Sequence, residues 1–121
     1  MIKNGLLVVD DEPEFCRFVK LVATELGYDP AETNNGDDFK KLYSEIEPTT
    51  IILGLVMPQT DGIDLLRWLI DRECRAKIIV MAGYDIAYSK MAKMIGDEGG
   101  IHTIETFAKP IRLDDLRKSL R

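Results

Sequence analysis

Three acidic side chains in a row, Asp10, Asp11 and Glu12, directly follow the unbroken aliphatic run Leu6-Leu7-Val8-Val9. Adjacent carboxylates at the end of an apolar segment repel one another unless a cation sits with them. Their oxygens suit a hard divalent ion. Near the other end of the chain, Lys109 stands just before Pro110 after the short segment Ile104-Glu105-Thr106-Phe107-Ala108, where an ammonium can offset that charge or hold a phosphoryl-type oxyanion. A plainer reading is open for the acidic run, since negative charge at the start of a helix is favoured by the helix dipole. The single histidine, His102, has Gly99 and Gly100 close by and no second histidine to work with, so it reads as a surface residue. Cys16 and Cys74 lack His or Cys neighbours at ligand spacing and read as reduced cytosolic thiols in helical stretches.

Such residues need a scaffold to gather them, and apolar periodicity supplies one by switching between short continuous runs and helix-spaced runs. Strands are expected at Leu6 to Val9, Tyr28 to Thr33, Thr50 to Leu53, Lys77 to Met81 and Ile104 to Ala108. The second belongs at an edge because Pro30 cannot donate to a ladder. Helices alternate with the strands. The first starts at Pro13, buries Phe15, Phe18, Val19, Val22 and Leu26, and stops at Gly27. The second presents Phe39, Leu42, Tyr43 and Ile46 after a turn at Asn34-Asn35-Gly36, and the third Ile63, Leu65, Leu66, Leu69 and Ile70, with Trp68 at least partly buried. The fourth runs from Ile86 to about Ile95, capped by Asp85, with an irregular stretch from Gly96; its methionines could form an adaptable binding face, but core packing explains Met91, Met94 and Ile95 more cheaply. The fifth carries Leu113, Leu116 and Leu120.

Strict alternation with right-handed crossovers predicts an α/β, doubly wound, five-stranded parallel sheet with helices on both faces. In that architecture the strand exits form one crevice. It would collect Asp10 and Asp11, the loop from Gly54 onward, Ala82, and Lys109. The 121 residues suit a single domain spanning 1–121. A net charge of −5 argues against a duplex-binding surface, because a phosphate backbone rewards clustered Lys and Arg. No apolar run is long enough for a membrane span, and a cytoplasmic location is expected.

Leu7-Val8-Val9-Asp10-Asp11-Glu12-Pro13, Met57-Pro58-Gln59-Thr60-Asp61-Gly62 and Phe107-Ala108-Lys109-Pro110 resemble the three signature segments of the receiver domain of two-component response regulators. The resemblance runs from Leu6 to Leu120. It implies a flavodoxin-like fold with strand order 2-1-3-4-5. It also implies an Asp at the third strand exit that accepts a phosphoryl group from the phosphohistidine of a histidine kinase. By the same resemblance Mg²⁺ would be held by Asp10, Asp11 and the Val56 carbonyl, and a phosphoryl oxygen by Lys109. A Ser or Thr after the fourth strand and an aromatic residue on the fifth would relay the event.

Family spacing puts the acceptor three residues before Met57, and that residue is Gly54, which offers neither nucleophile nor ligand. The hydroxyl position is Ala82 and the aromatic switch position is Thr106. Either the acceptor was lost from a working receiver, by design or accident, or the domain is naturally degenerate. In both cases weak or absent Mg²⁺ binding is expected, and phosphate-independent protein interaction. The implied partners are a histidine kinase or phosphotransfer protein and an output domain or target. A homodimer through the fourth helix, fifth strand and fifth helix is also expected, with no direct nucleic acid contact. The competing class is a small-molecule binder or enzyme on a flavodoxin-like fold. No phosphate-cradling loop or nucleophile–base pair supports it, so a non-enzyme is expected.

Overall fold

The computed structural model describes residues 4–55, 57, 61–83, 86–101 and 103–121. Strands β1 (Asn4–Val9), β2 (Tyr28–Thr33), β3 (Thr50–Gly54), β4 (Lys77–Met81) and β5 (Ile104–Phe107) alternate with helices α1 (Pro13–Glu25), α2 (Gly36–Ile46), α3 (Gly62–Asp71), α4 (Ile86–Glu98) and α5 (Leu113–Leu120). Among the described residues these strands form one parallel sheet in the order β2-β1-β3-β4-β5. β2 is the edge, where Pro30, opposite Leu6, interrupts nothing on its outer side.

Both faces of the sheet are covered, which is why β1, β3 and β4 read as continuous aliphatic runs. One face packs Leu7, Val9, Ile51, Leu53, Ile78 and Val80 against α2, α3 and α4. The other packs Leu6, Val8, Ile52, Ile79 and Met81 against α1 and α5. Phe39, fully buried, anchors α2. Each such side chain contributes roughly 1.5–3 kcal/mol of burial.

The structure corrects several expectations. Gly54 is the last residue of β3, paired with Met81, and not the first of a loop. The Asn34-Asn35-Gly36 turn is a helix start, in which the Asn35 side chain accepts from the Asp38 N–H at 2.8 Å. On α1 the deepest residues are Cys16, Val19, Val22 and Ala23, while Phe15 and Phe18 are half-buried at the end of the helix that faces the crevice. α4 runs through Gly96 to Glu98 because a side chain at 96 would meet Ile104 Cδ1 at 2.7 Å, so glycine permits the close approach of α4 to β5. The most buried residues of α4 are the small Ala92 and Gly96, with Ile95 half-buried and packed against the same core as expected. Met91 and Met94 are 40% and 61% exposed, and Leu113 of α5 is also exposed. Cys74 lies beyond α3 rather than in a helix, and both cysteines are buried free thiols. β5 stops at Phe107. Asp85, expected to cap α4, lies outside the described residues, as do Tyr84 and His102. No helix among the described residues is long and apolar enough to cross a membrane.

Candidate functional site

The carboxyl ends of β1, β3, β4 and β5 open into a cavity of about 630 Å³ lined by Asp10, Asp11, Glu12, Gly54 and Lys109 on its polar side and by Phe15, Phe18, Met81, Pro110 and Ile111 on its apolar side. Asp10 leaves β1 buried, at 2% exposure, with its N–H bonded to the Thr33 carbonyl at 3.1 Å. Asp11 is exposed at the rim. The Asp10 side chain turns back to accept the Glu12 N–H at 2.9 Å. Pro13, which has no N–H to satisfy, follows at the start of α1.

Lys109 crosses the cavity to these carboxylates. Its Nζ lies 3.0 Å from Asp10 Oδ1, 2.9 Å from Asp10 Oδ2 and 2.5 Å from Glu12 Oε1, and 4.6 Å from the centre of the Phe15 ring. Burial opposes the charge of Lys109, but hydrogen bonds to Glu12 and Asp10 and their charges together outweigh it and raise its pKa above 10.5. For Asp10 the balance falls the other way. Burial raises its pKa above 3.8, more than the Lys109 hydrogen bond, the Glu12 N–H and the Lys109 charge lower it. The two shifts weigh different costs and agree on one geometry, an ion pair whose anion is the more deeply desolvated partner.

Gly54 sits against this pair. A Cβ on residue 54 would lie 2.8 Å from Asp10 Oδ2 and 3.2 Å from the Val9 carbonyl oxygen, so the Asp10 carboxylate leans into space that a side chain there would claim. Gly54 does not have a positive φ, and its backbone conformation is open to any residue. Asp10, Asp11 and Glu12 each place one oxygen within 4.8 Å of the others, a spacing that could surround a cation.

Of the residues singled out by sequence, Asp10, Asp11, Gly54 and Lys109 meet in the crevice. Ala82 is buried in the core on the α2, α3 and α4 side, while its neighbours Met81 and Gly83 line the cavity. Thr106, half-buried on β5 opposite Val80, does not line it. Val56 lies outside the described residues. Sequence reasoning missed Glu12 as a partner of Lys109 and Phe15 as the ring beneath it. The first had a signal, a third carboxylate next to the pair; the second had none, since Phe15 reads as ordinary helix core. Also missed was a bond from the Tyr88 hydroxyl of α4 to Asp61 Oδ1 at 2.6 Å. Asp61 also caps α3 through the Ile63 N–H. Burial first, then the Asp10 charge, pushes the Cys16 thiol up to about 12, so it stays protonated and inert beneath the site.

Residues 6–121 match the response regulator receiver domain family. The chain is a receiver domain. It is 31% identical over 114 residues to the regulatory protein AtoC of Escherichia coli, covering 93% of this chain and 23% of that protein. It is 33% identical over 76 residues to the chemotaxis protein CheY of Thermotoga maritima, covering 62% and 63%. The receiver domain thus spans less than two thirds of the length of these curated relatives. A response regulator signal receiver domain from Bermanella marisrubri superposes with a TM-score of 0.81 at 28% identity, covering 94% of this chain and 92% of that one. A response regulator from Burkholderia pseudomallei, whose structure holds a phosphorylated aspartic acid, a calcium ion and citrate, superposes at 0.79 with 25% identity, covering 98% and 66%. The strand order and the five helices of the receiver domain agree with the fold of these relatives.

Proposed function

We propose that this receiver domain works in two-component signalling without accepting phosphate, because residue 54, at the acceptor position, is glycine. The observation that supports this reading is the place of Gly54 at the end of β3, against the Asp10 carboxylate and in the cavity that Lys109 enters. Of the described residues that line this cavity, the only carboxylates are Asp10, Asp11 and Glu12, and Lys109 is already ion-paired with two of them. The Burkholderia pseudomallei relative carries its phosphate on an aspartic acid; a hydrogen at residue 54 provides no oxygen for that bond.

A Mg²⁺ ion fits this crevice poorly. Residue 54 gives no ligand, and an ammonium stands within hydrogen-bond distance of Asp10 and Glu12. Magnesium sheds its waters reluctantly and needs near-octahedral oxygen ligands, so weak or absent binding follows. Ala82 and Thr106, at the hydroxyl and aromatic switch positions, support a relay that does not depend on phosphate. The balance between surface states would then be set by the sequence and by whatever binds it.

The domain, 1–121, acts by protein contacts rather than by catalysis, in the cytoplasm. Its partners are a histidine kinase or phosphotransfer protein, an output domain or target, and a second copy through α4, β5 and α5. Exposed Met91, Met94 and Leu113 on α4 and α5 support that surface. The test is incubation with acetyl phosphate or beryllofluoride and Mg²⁺, read by intact mass or amide chemical shifts. The unaltered chain is expected to stay unchanged, and Gly54→Asp to respond if the rest of the site is intact; a silent Gly54→Asp would favour natural degeneration. A stable adduct on the unaltered chain would overturn the reading.

A further inference from the structure

We propose that Lys109 is the built-in cation of this crevice. Its ammonium holds the place beside Asp10 and Glu12 that a divalent ion would otherwise take, offsetting one of the three negative charges there, and Gly54 makes this possible by leaving Asp10 room to turn toward it. The inference rests on the reading of residue 54 as the acceptor position, and it explains how a receiver lacking that residue keeps its acidic exit folded.

Three observations converge. The Lys109 Nζ contacts both oxygens of Asp10 and one of Glu12, the distribution of charge expected of a cation at the centre of a carboxylate cluster. Lys109 is held there from below by the Phe15 ring, so its position does not depend on the carboxylates alone. The Asp10 oxygen nearest Gly54 lies 2.8 Å from where a Cβ would begin, so any larger residue at 54 must push Asp10 out of its present position. A divalent ion held by the same carboxylates would stand close to the Lys109 ammonium, and at such separations in a half-buried site their repulsion is on the order of several kcal/mol. An incoming ion must therefore displace Lys109 from Asp10 or bind with that penalty, and the tethered side chain weakens its binding.

The test is an amide-shift titration with Mg²⁺ alone, without any phosphodonor, on the unaltered chain, Lys109→Met and Lys109→Arg. Asp10, Asp11 and Glu12 amides of the unaltered chain and of Lys109→Arg are expected to show no saturable shift at millimolar Mg²⁺. Lys109→Met is expected to show saturable shifts at these amides, at least about tenfold tighter, together with a rise in melting temperature on adding Mg²⁺. Saturable binding at these amides in the unaltered chain overturns the inference, and so does a Lys109→Met that folds but stays as silent as Lys109→Arg. If Lys109→Met is unfolded without metal, recovery of a folded spectrum in Mg²⁺ supports the inference. If it remains unfolded in Mg²⁺ as well, paramagnetic broadening by Mn²⁺ in the unaltered chain decides, with broadening at residues 10–12 overturning the inference and its absence supporting it. Phosphodonor labelling of the unaltered chain would sink the proposed function and, because it is run with Mg²⁺, would leave this inference to the metal titration alone; saturable Mg²⁺ binding without labelling would sink this inference and leave the missing phosphoacceptor standing.

Discussion

Replacing Lys109 by Met strands a buried anion, and the size of the loss follows from the geometry. Asp10 is 2% exposed, and without Lys109 its side chain keeps, of the hydrogen bonds described here, only the one from the Glu12 N–H. Removing one partner of a buried ion pair costs roughly 3–5 kcal/mol. The Lys109 side chain is 20% exposed and that of Glu12 61%, so solvent already shares the charge on the open side, and the expected loss is nearer about 2–3 kcal/mol. Methionine keeps most of the apolar stem, which leaves the charge as the main change. The assay is urea unfolding in metal-free buffer, followed by the fluorescence of Trp68. This is the only tryptophan of the chain, half-buried between Phe39 and Tyr43 with the Arg72 guanidinium 3.6 Å from its ring centre. With a urea slope of about 1–3 kcal/mol per molar, the midpoint at pH 7 should fall by about 0.7–3 M. The pH dependence is the sharper half. Asp10 already has a folded pKa above 3.8, chiefly from burial, and losing Lys109 removes two influences that lower it. A carboxyl whose folded pKa is raised penalises the native state at higher pH, and that penalty fades as pH falls through the folded value. The gap between variant and parent should therefore narrow from pH 7 toward pH 4. Lys109, with its pKa raised above 10.5, stays charged in the parent over this whole range and contributes nothing to the change. A loss under about 1 kcal/mol at pH 7, or one equal at both pH values, would refute the reasoning.

Asp10→Asn should be neutral or slightly stabilising at pH 7, because burial outweighs pairing at Asp10. The difference should close as pH falls through the Asp10 pKa, and a loss above about 2 kcal/mol in the same urea assay would show the pair to be net stabilising. Gly62→Ala would drive a Cβ into the Gly54 carbonyl and to 2.5 Å from the Leu55 Cα, backbone that cannot swing away. A net loss of about 1–3 kcal/mol is expected despite the better helix propensity of alanine, and an unchanged midpoint would contradict it. Tyr88→Phe removes the bond to Asp61 and should cost about 1 kcal/mol. The hydrogen bond to Asp61, with burial second, pushes the Tyr88 phenol up to about 12. The native state of the parent therefore holds this proton longer than the unfolded chain and loses stability between pH 10 and 12. The variant should lose one late-titrating phenol in a tyrosinate absorbance titration, and an unaltered curve would exclude the assignment.

Much of the scaffold is legible because covalent chemistry and burial act locally. Pro13 and Gly27 bound α1, Pro30 puts β2 at the edge, and the aliphatic runs of β1, β3 and β4 announce strands covered on both faces. Less legible were the ends and faces that depend on what packs against them. Gly96 reads as a helix breaker, yet the tight seat of α4 on β5 requires it, and the same seat turns Met91 and Met94 outward. Asn34-Asn35-Gly36 reads as a turn and is a capped helix start, since the two use the same side-chain oxygen chemistry.

The amino-acid sequence by itself determined the alternation of elements, the residues that reach the strand exits, and the absence of any side chain at residue 54, because each is a property of one residue or of a short run. Only the tertiary structure decided that Lys109 pairs with Glu12 as well as Asp10, that Phe15 lies under its ammonium, and that the Asp10 carboxylate fills the space beside Gly54. These contacts join residues up to 99 positions apart, and the way charge is shared among them depends on distances and burial that exist only once the sheet has formed.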